Sequence, residues 1–449
     1  MLNWVYLALN RYGTGSAARL ARSAKLAPRW LIRRVAAAKL VRTLRHVWRN
    51  SPHQRERWHQ AGIRLHHLRS PRVLPRVPFL RPDELTETPE HFFCVAKSEF
   101  THVISTSGTS GRPRRVWFTA DDIDHQARLM GATLKRLPGA ACVLVLMGPV
   151  EPTWGPGEMA LRAAEEAGML GFQVSHGESP HKHIDYIREF HPDVLIGTPT
   201  WVHRLTLEAD AEVRTLGVKY IVLCSQPIPR MLRGELEAAW DATVIDAYGT
   251  NECACGIASE CEHGDGLHVA EADFWIEIVE PETGRPVPEG EQGEIVITTL
   301  SRRGMPLVRY RIGDLSRFLP ETGPCPCGFA LRKIAPIKGR VDHMLIIGSG
   351  FNVYPDEFDH AVLAVPGVTD YQLTVEKRGY TDVLHLTVET AEAGDGLPER
   401  LRDALMSIKY VRRNVSERPH VTFGELKAVP PGTLSAGRPK TVRIIDKRV

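Results

Sequence analysis

Between residues 142 and 245, short apolar runs alternate with segments of helical character, and this rhythm constrains the fold more than any other feature of the chain. The runs at 142–147, 172–175, 194–196, 220–224 and 243–245 are of strand length and too short for helices. Between them, 158–167, 182–190 and 230–240 have helical character. Strand, helix, strand in series gives a mainly parallel sheet, because a parallel neighbour is reached only through a crossover. The expected fold class is therefore α/β, with a doubly wound sheet in a large N-terminal domain.

From about His268 the pattern changes to short alternating strands, FWIEIVE and GEIVITT, separated by the turn-rich PETGRPVPEGEQG. A β-rich subdomain is expected there. Beyond IKGRVD the chain closes with a unit in which LTVEKR and DVLHLTVE read as strands and 398–411 as a helix. This predicts a small, mobile α+β C-terminal domain. The boundary falls at 339–342, dividing the chain into an N-terminal domain, 1–340, and a C-terminal lid, 341–449.

The first 55 residues carry twelve Lys/Arg and no Asp/Glu, although the whole chain has a formal charge of only +4. The body is therefore acidic and the arm basic. Leu40, Val41, Leu44, Val47 and Trp48 recur at helical spacing, with Arg42, Arg45 and Arg49 on the other side, so the arm reads as an amphipathic helix docked on the main domain. Residues 70–82, SPRVLPRVPFLRP, read as irregular linker wrapped on the core. No segment reaches about 18 uninterrupted apolar residues, and the opening MLNWVYLALN has its positive charges after the apolar stretch, unlike a secretory signal. A cytoplasmic location is expected, with no stable membrane insertion and no nucleic-acid partner; a homodimer stays open.

Residues 105–113, STSGTSGRP, follow the strand-like HVI and are rich in Gly, Ser and Thr. Small residues leave backbone amides and hydroxyls free to face a polyphosphate. The spacing is not GxxxxGK[ST], which argues against a P-loop NTPase. Asp246-Ala-Tyr248-Gly249-Thr250-Asn251-Glu252 lies at the end of a predicted strand, where open α/β sheets bind ligands. Its ring can stack on a base, and its carboxylate can hold a magnesium ion. Within 309–314, RYRIGD, Asp314 adds a carboxylate able to accept from both ribose hydroxyls.

STSGTSGRP, DAYGTNE, RYRIGD, GRVD and a terminal GRPKTVR, in that order across nearly the whole chain, resemble the motif set of the adenylate-forming superfamily. PETGRPVPEGEQGEIVITTL, MPLVRYRIGDL, PCPCG and the closing RIIDKR are similar to its phenylacetate–CoA ligase branch. The resemblance implies a carboxylate–CoA ligase that activates an acid, expected to be aromatic, as an acyl-adenylate. ATP and CoA are the implied co-substrates and Mg2+ the implied metal.

Residue by residue, the resemblance implies that Ser107, Gly108, Thr109, Ser110 and Gly111 cradle the pyrophosphate of ATP. Tyr248 would stack on adenine, with Asp246 and Gly249 also in the cofactor-binding set, Asn251 would sit at the phosphates and Glu252 at the magnesium, and Asp314, helped by Arg340, at the ribose. Asp342 would be the hinge and Lys440 the adenylation lysine. Trp154 and Gly155 fall where the branch lines its acid pocket. The chain departs from the family pattern with Asn251 in place of Thr, Ser225-Gln226-Pro227 in place of Gly-Glu-Pro, one extra residue in 347–350, and Arg438-Pro439 before the lysine in place of Glu-Gly.

Cys261, His268, Cys325 and Cys327 form a second constellation. Two thiolates flanking one proline can bite a zinc ion if the β-rich subdomain brings the other pair near; buried core cysteines fit the same spacing. Similar cysteines in relatives are implied to hold structural zinc. Two other functional readings remain open: an adenylyltransferase or acyl-protein synthetase that does not use CoA, and a non-catalytic nucleotide-binding relative.

Overall fold

The computed structural model describes residues 27–105, 114–147, 154–175, 178–264, 266–321, 325–341, 345–347, 351–353, 355–379, 381–391, 394, 396–416, 420–434 and 441–448. Its main sheet has eight strands. Five are parallel, in spatial order Leu170–Gln173, Cys142–Val145, Val194–Gly197, Tyr220–Cys224 and Thr243–Thr250. The strands Cys255–Ser259, Leu267–Val269 and Lys333–Ile334 continue it antiparallel.

Alternate residues of one strand enter different cores. Leu144 and Leu146 join Leu195, Ile221 and Leu223 in one cluster, while Val143, Val145 and Met147 join Val194 and Ile196 in another. Burial on both faces requires helices on both faces, which the doubly wound order supplies. The helices Pro156–Glu166, Pro180–Phe190 and Pro199–Ala209 each begin with proline, whose missing N–H costs nothing in a first turn. Ser179 caps the second by accepting from the Lys182 amide.

The β-rich part is a four-stranded antiparallel sheet of Phe274–Val279, Gly293–Thr299, Tyr310–Ser316 and Gly339–Arg340. The helix Arg29–Asn50 buries Leu40, Leu44 and Val47 with Leu300 and Val308, and Arg42 and Arg49 stay exposed. Lys39 adds a salt bridge to Asp273 at 3.1 Å and Arg29 one to Glu271. The proline-rich stretch is strapped down by Arg309, which donates to the carbonyls of Pro75 and Val77 and pairs with Glu277 at 3.0 Å.

The C-terminal part has its own core, drawn from residues 353–421. Its sheet runs Val421–Val429, Thr381–Thr390, Val368–Arg378, Ile444–Asp446. The single helix predicted over 398–411 is two, Leu397–Ser407 and Lys409–Ser416. The break is at Ile408, which adopts an extended conformation and buries its side chain in that core.

Candidate active site

The strand Thr243–Thr250 outlasts its apolar start, so the polar residues of DAYGT are presented from the sheet itself. A short turn, Asn251–Cys253, then folds back into Cys255–Ser259. The return is tight. A Cβ on Gly249 would lie 2.3 Å from the Cys255 carbonyl oxygen, so only glycine lets the two strands close.

The turn brings together groups far apart in sequence. The Glu252 carboxylate is buried, with Oε1 accepting from Arg114 Nη1 at 2.6 Å and from the Tyr310 hydroxyl at 3.0 Å. Burial opposes the charge on Arg114, but Tyr310 and Glu252 outweigh it and hold the guanidinium charged. Burial also pushes the Tyr310 phenol well above its ordinary range, so it stays a donor. Asn251 does something the motif did not suggest: its Nδ2 donates to the Ser105 carbonyl at 2.7 Å. Ser105 ends the strand Phe100–Ser105, which pairs antiparallel with Arg115–Thr119. The Gly/Ser/Thr-rich segment therefore joins two strands of a hairpin. Its residues Ser107, Gly108, Thr109, Ser110 and Gly111 lie outside the described residues, as do Asp342 and Lys440.

On the neighbouring β-rich sheet, Asp314 is paired in register with Arg340. Its Oδ2 accepts from the Tyr248 hydroxyl at 2.7 Å and its Oδ1 from Arg340 at 3.3 Å. A carboxylate has about four acceptor positions, so ribose hydroxyls can share these oxygens. Gly313, at φ +88°, leaves the space Arg340 occupies; a Cβ there would lie 3.1 Å from the guanidinium. Asp246 sits deeper. Burial, then repulsion from Glu260, raises its carboxyl to about 7. Burial likewise pushes the Cys253 thiol up to about 12, which fits a packing role and not a nucleophile.

Trp154 is half-buried beside the strand entering the glycine-rich segment, bridged to Ile104 and edge-on to His102 at 4.7 Å. Gly155 caps the helix Pro156–Glu166, its amide donating to Glu158 at 2.9 Å. Ser225 adopts φ 72°, the left-handed region that favours glycine. Its neighbour Gln226 accepts from the Thr200 hydroxyl.

Cys261, His268, Cys325 and Cys327 converge, with their ligand atoms all within 4.8 Å of one another. The Cys261 and Cys325 sulfurs are 3.7 Å apart, and Cys327 Sγ is 3.4 Å from His268 Nε2. A tetrahedron with bonds of about 2.3 Å to sulfur and about 2.0 Å to nitrogen has edges of roughly 3.5–3.8 Å. The donor set fits zinc. His268 Nδ1 lies 3.3 Å from the Leu331 carbonyl, the partner that orients a metal-bound imidazole.

A doubly wound sheet bearing an aromatic–glycine–carboxylate turn at a strand end, with a second sheet supplying the facing Asp and Arg, defines an adenylate-forming enzyme. The chain belongs to the AMP-binding enzyme family, matched over residues 36–301, with the family's C-terminal domain over 350–448, and is an AMP-forming acid–thiol ligase of the phenylacetate–CoA ligase-like branch. It is 33% identical to the phenylacetate-coenzyme A ligase of Thermus thermophilus, covering 94% of this chain and 98% of that one. It is 29% identical to the enzyme of the same name from Escherichia coli, covering 91% and 93%. Among solved structures it resembles 2-hydroxyisobutyryl-CoA ligase in the postadenylation state, with a TM-score of 0.77 at 24% identity over 92% of this chain and 89% of that one. Among the described residues no helix is long and apolar enough to cross a membrane.

Proposed function

We propose that the chain activates an aromatic acid of the phenylacetate or benzoate kind as its acyl-adenylate and passes the acyl group to coenzyme A. The observation that carries this reading is the pair of neighbouring carboxylate centres, Glu252 with Arg114 and Tyr310, and Asp314 with Tyr248 and Arg340. One is suited to the phosphates, the other to the ribose. The names of the relatives support an aromatic substrate.

Adenylation brings two anions together, the acid and the α-phosphate, and so needs donors and a bridging cation. In this reading residues 107–111 supply amides and hydroxyls, and Lys440 the cation. Asn251 keeps the base of the glycine-rich segment in place through Ser105. Magnesium, when bound, neutralises charge on the phosphates, and Glu252 would hold it while sharing its carboxylate with Arg114. Rotation of the lid, 341–449, about Asp342 would withdraw Lys440 and admit the thiol. Zinc at Cys261, His268, Cys325 and Cys327 would be structural, bracing the junction of the two sheets.

The test is ATP–pyrophosphate exchange across a panel of aromatic and aliphatic acids, followed by thioester assay with and without coenzyme A. Exchange with aromatic acids, and acyl-CoA formed only when coenzyme A is added, are expected. Exchange confined to aliphatic acids would overturn the substrate class. Adenylate formed and never passed to coenzyme A would favour an adenylyltransferase. Lys440→Ala should slow adenylation by roughly 100- to 1,000-fold and largely spare thioester formation from a supplied adenylate.

A further inference from the structure

Tyr310 is fully buried, with 0% of its surface exposed, yet it carries a hydroxyl. Its ring packs with Leu80, Ile297 and Ile312 in one core cluster, where a phenylalanine would fill the same space with no polar atom to satisfy. Packing therefore explains the ring and leaves the hydroxyl without a reason. Glu252 supplies one.

The hydroxyl donates to Glu252 Oε1 at 3.0 Å and accepts from Arg114 Nη1 at 3.3 Å, and Arg114 donates to the same carboxylate oxygen at 2.6 Å. Both donors converge on Oε1. Among the described residues no donor reaches Oε2, although a carboxylate has about four acceptor positions in all. The backbone that aims the ring is held as firmly. Arg309 adopts φ 51°, a left-handed conformation that a non-glycine residue keeps only where its surroundings over-determine it. Here they do: the Arg309 amide donates to Thr298 Oγ1 at 2.9 Å, and its guanidinium donates to the Pro75 carbonyl at 3.1 Å and the Val77 carbonyl at 2.8 Å. On either side of Tyr310, Leu80 closes two backbone bonds of 2.9 Å, donating to the Arg309 carbonyl and accepting from the Arg311 amide.

We infer that Tyr310 is a positioning residue for magnesium: by taking Oε1 together with Arg114, it fixes Oε2 as the oxygen that Glu252 offers to the ion. The inference rests on the reading of Glu252 as the magnesium ligand. Magnesium demands near-ideal octahedral geometry and takes few protein carboxylates, so a carboxylate free to turn would meet that demand only part of the time. Partners that orient a ligating group contribute on the order of 10- to 100-fold to metal affinity. The strap of residues 70–82 thereby gains a task, since through Arg309 and Leu80 it holds the ring that holds the ligand.

The test uses the full chain and calorimetry with ATP in the absence of any acid, so that no adenylate forms, once with excess Mg2+ and once with chelator. Mg2+ is expected to tighten ATP binding to the wild type. In Tyr310→Phe that gain should shrink on the order of 10-fold, while the affinity measured in chelator stays within about twofold of the wild type. Tyr310→para-aminophenylalanine keeps a donor at the same place and should recover most of the gain, so it also answers should Tyr310→Phe fold poorly. An undiminished gain in Tyr310→Phe, or a loss that para-aminophenylalanine does not restore, would overturn the inference. Equal weakening with and without Mg2+ would overturn it too, because a purely structural role acts on both. Glu252→Gln run in parallel separates the two claims. If it gains from Mg2+ as the wild type does, Glu252 is not the ligand and Tyr310 has nothing to position. If its gain is lost while that of Tyr310→Phe is intact, only the inference about Tyr310 falls.

Discussion

Arg114 reaches across 138 residues of sequence to place its guanidinium 2.6 Å from the carboxylate of Glu252. Both side chains are about nine-tenths buried. Removing one partner of such a pair strands the other charge away from water, at a cost of about 3–5 kcal/mol. Arg114→Ala should therefore lower stability in chemical denaturation by about that much and weaken magnesium-dependent use of ATP. The double variant Arg114→Met/Glu252→Gln should recover most of the stability and none of the activity. Full stability in Arg114→Ala alone would count against a buried pair.

Protein purified without chelator should contain about one zinc per chain. Cys327→Ser is expected to lose that metal and to melt at a lower temperature while keeping its affinity for ATP. Elemental analysis and a melting curve check both halves. Metal-free wild-type protein with unchanged stability would leave four buried core residues and no zinc site.

Asp246 makes stability fall as pH rises. Its folded carboxyl, raised to about 7 by burial and then by Glu260, binds a proton that the unfolded chain releases at about 3.9. Between those values the folded state holds more protons, so the contribution of this group is fully present below the lower value and lost on passing the upper. Asp246→Asn should gain on the wild type in melting temperature from about pH 4 to about pH 7 and hold a constant advantage above that. A difference independent of pH would contradict the assignment.

Ser225 stands where the family pattern has glycine, and its backbone has φ 72°. A side chain in that region costs roughly 1–2 kcal/mol, part of which returns through the smaller entropy of the unfolded chain. Ser225→Gly should thus be neutral to stabilising by up to about 1 kcal/mol in urea unfolding. Destabilisation would mean that the serine hydroxyl holds a structural contact.

The parts of the fold and site that could be read from sequence were those with a period or a motif. Apolar runs located the parallel strands, and the alternation of FWIEIVE and GEIVITT located the second sheet. Cys261, His268, Cys325 and Cys327 were grouped by spacing, and the structure brings them together. Arg114 was not legible, because Arg112, Arg114 and Arg115 look alike until a hairpin register places one of them against Glu252. The bond from Asn251 to the Ser105 carbonyl was not legible either, because it is set by strands that meet only in three dimensions. The helix break at Ile408 escaped detection since no proline or glycine marks it.

The helix Arg29–Asn50 has a consequence for the order of events during synthesis. Its apolar stripe, Leu40, Leu44 and Val47, docks on Leu300 and Val308, and Thr43 donates to the Leu300 carbonyl, 257 residues further on. At ribosomal rates of about 5–20 residues per second, those partners emerge on the order of ten seconds or more after the helix does. For that interval the stripe is covered only by the partners that follow it closely in sequence, Trp58, Leu68 and Leu74 among them, and its far side lacks Leu300 and Val308. Nascent chains arrested before residue 300 should therefore engage holding chaperones through this helix, and release should coincide with the arrival of the strand Gly293–Thr299 and the segment that follows it.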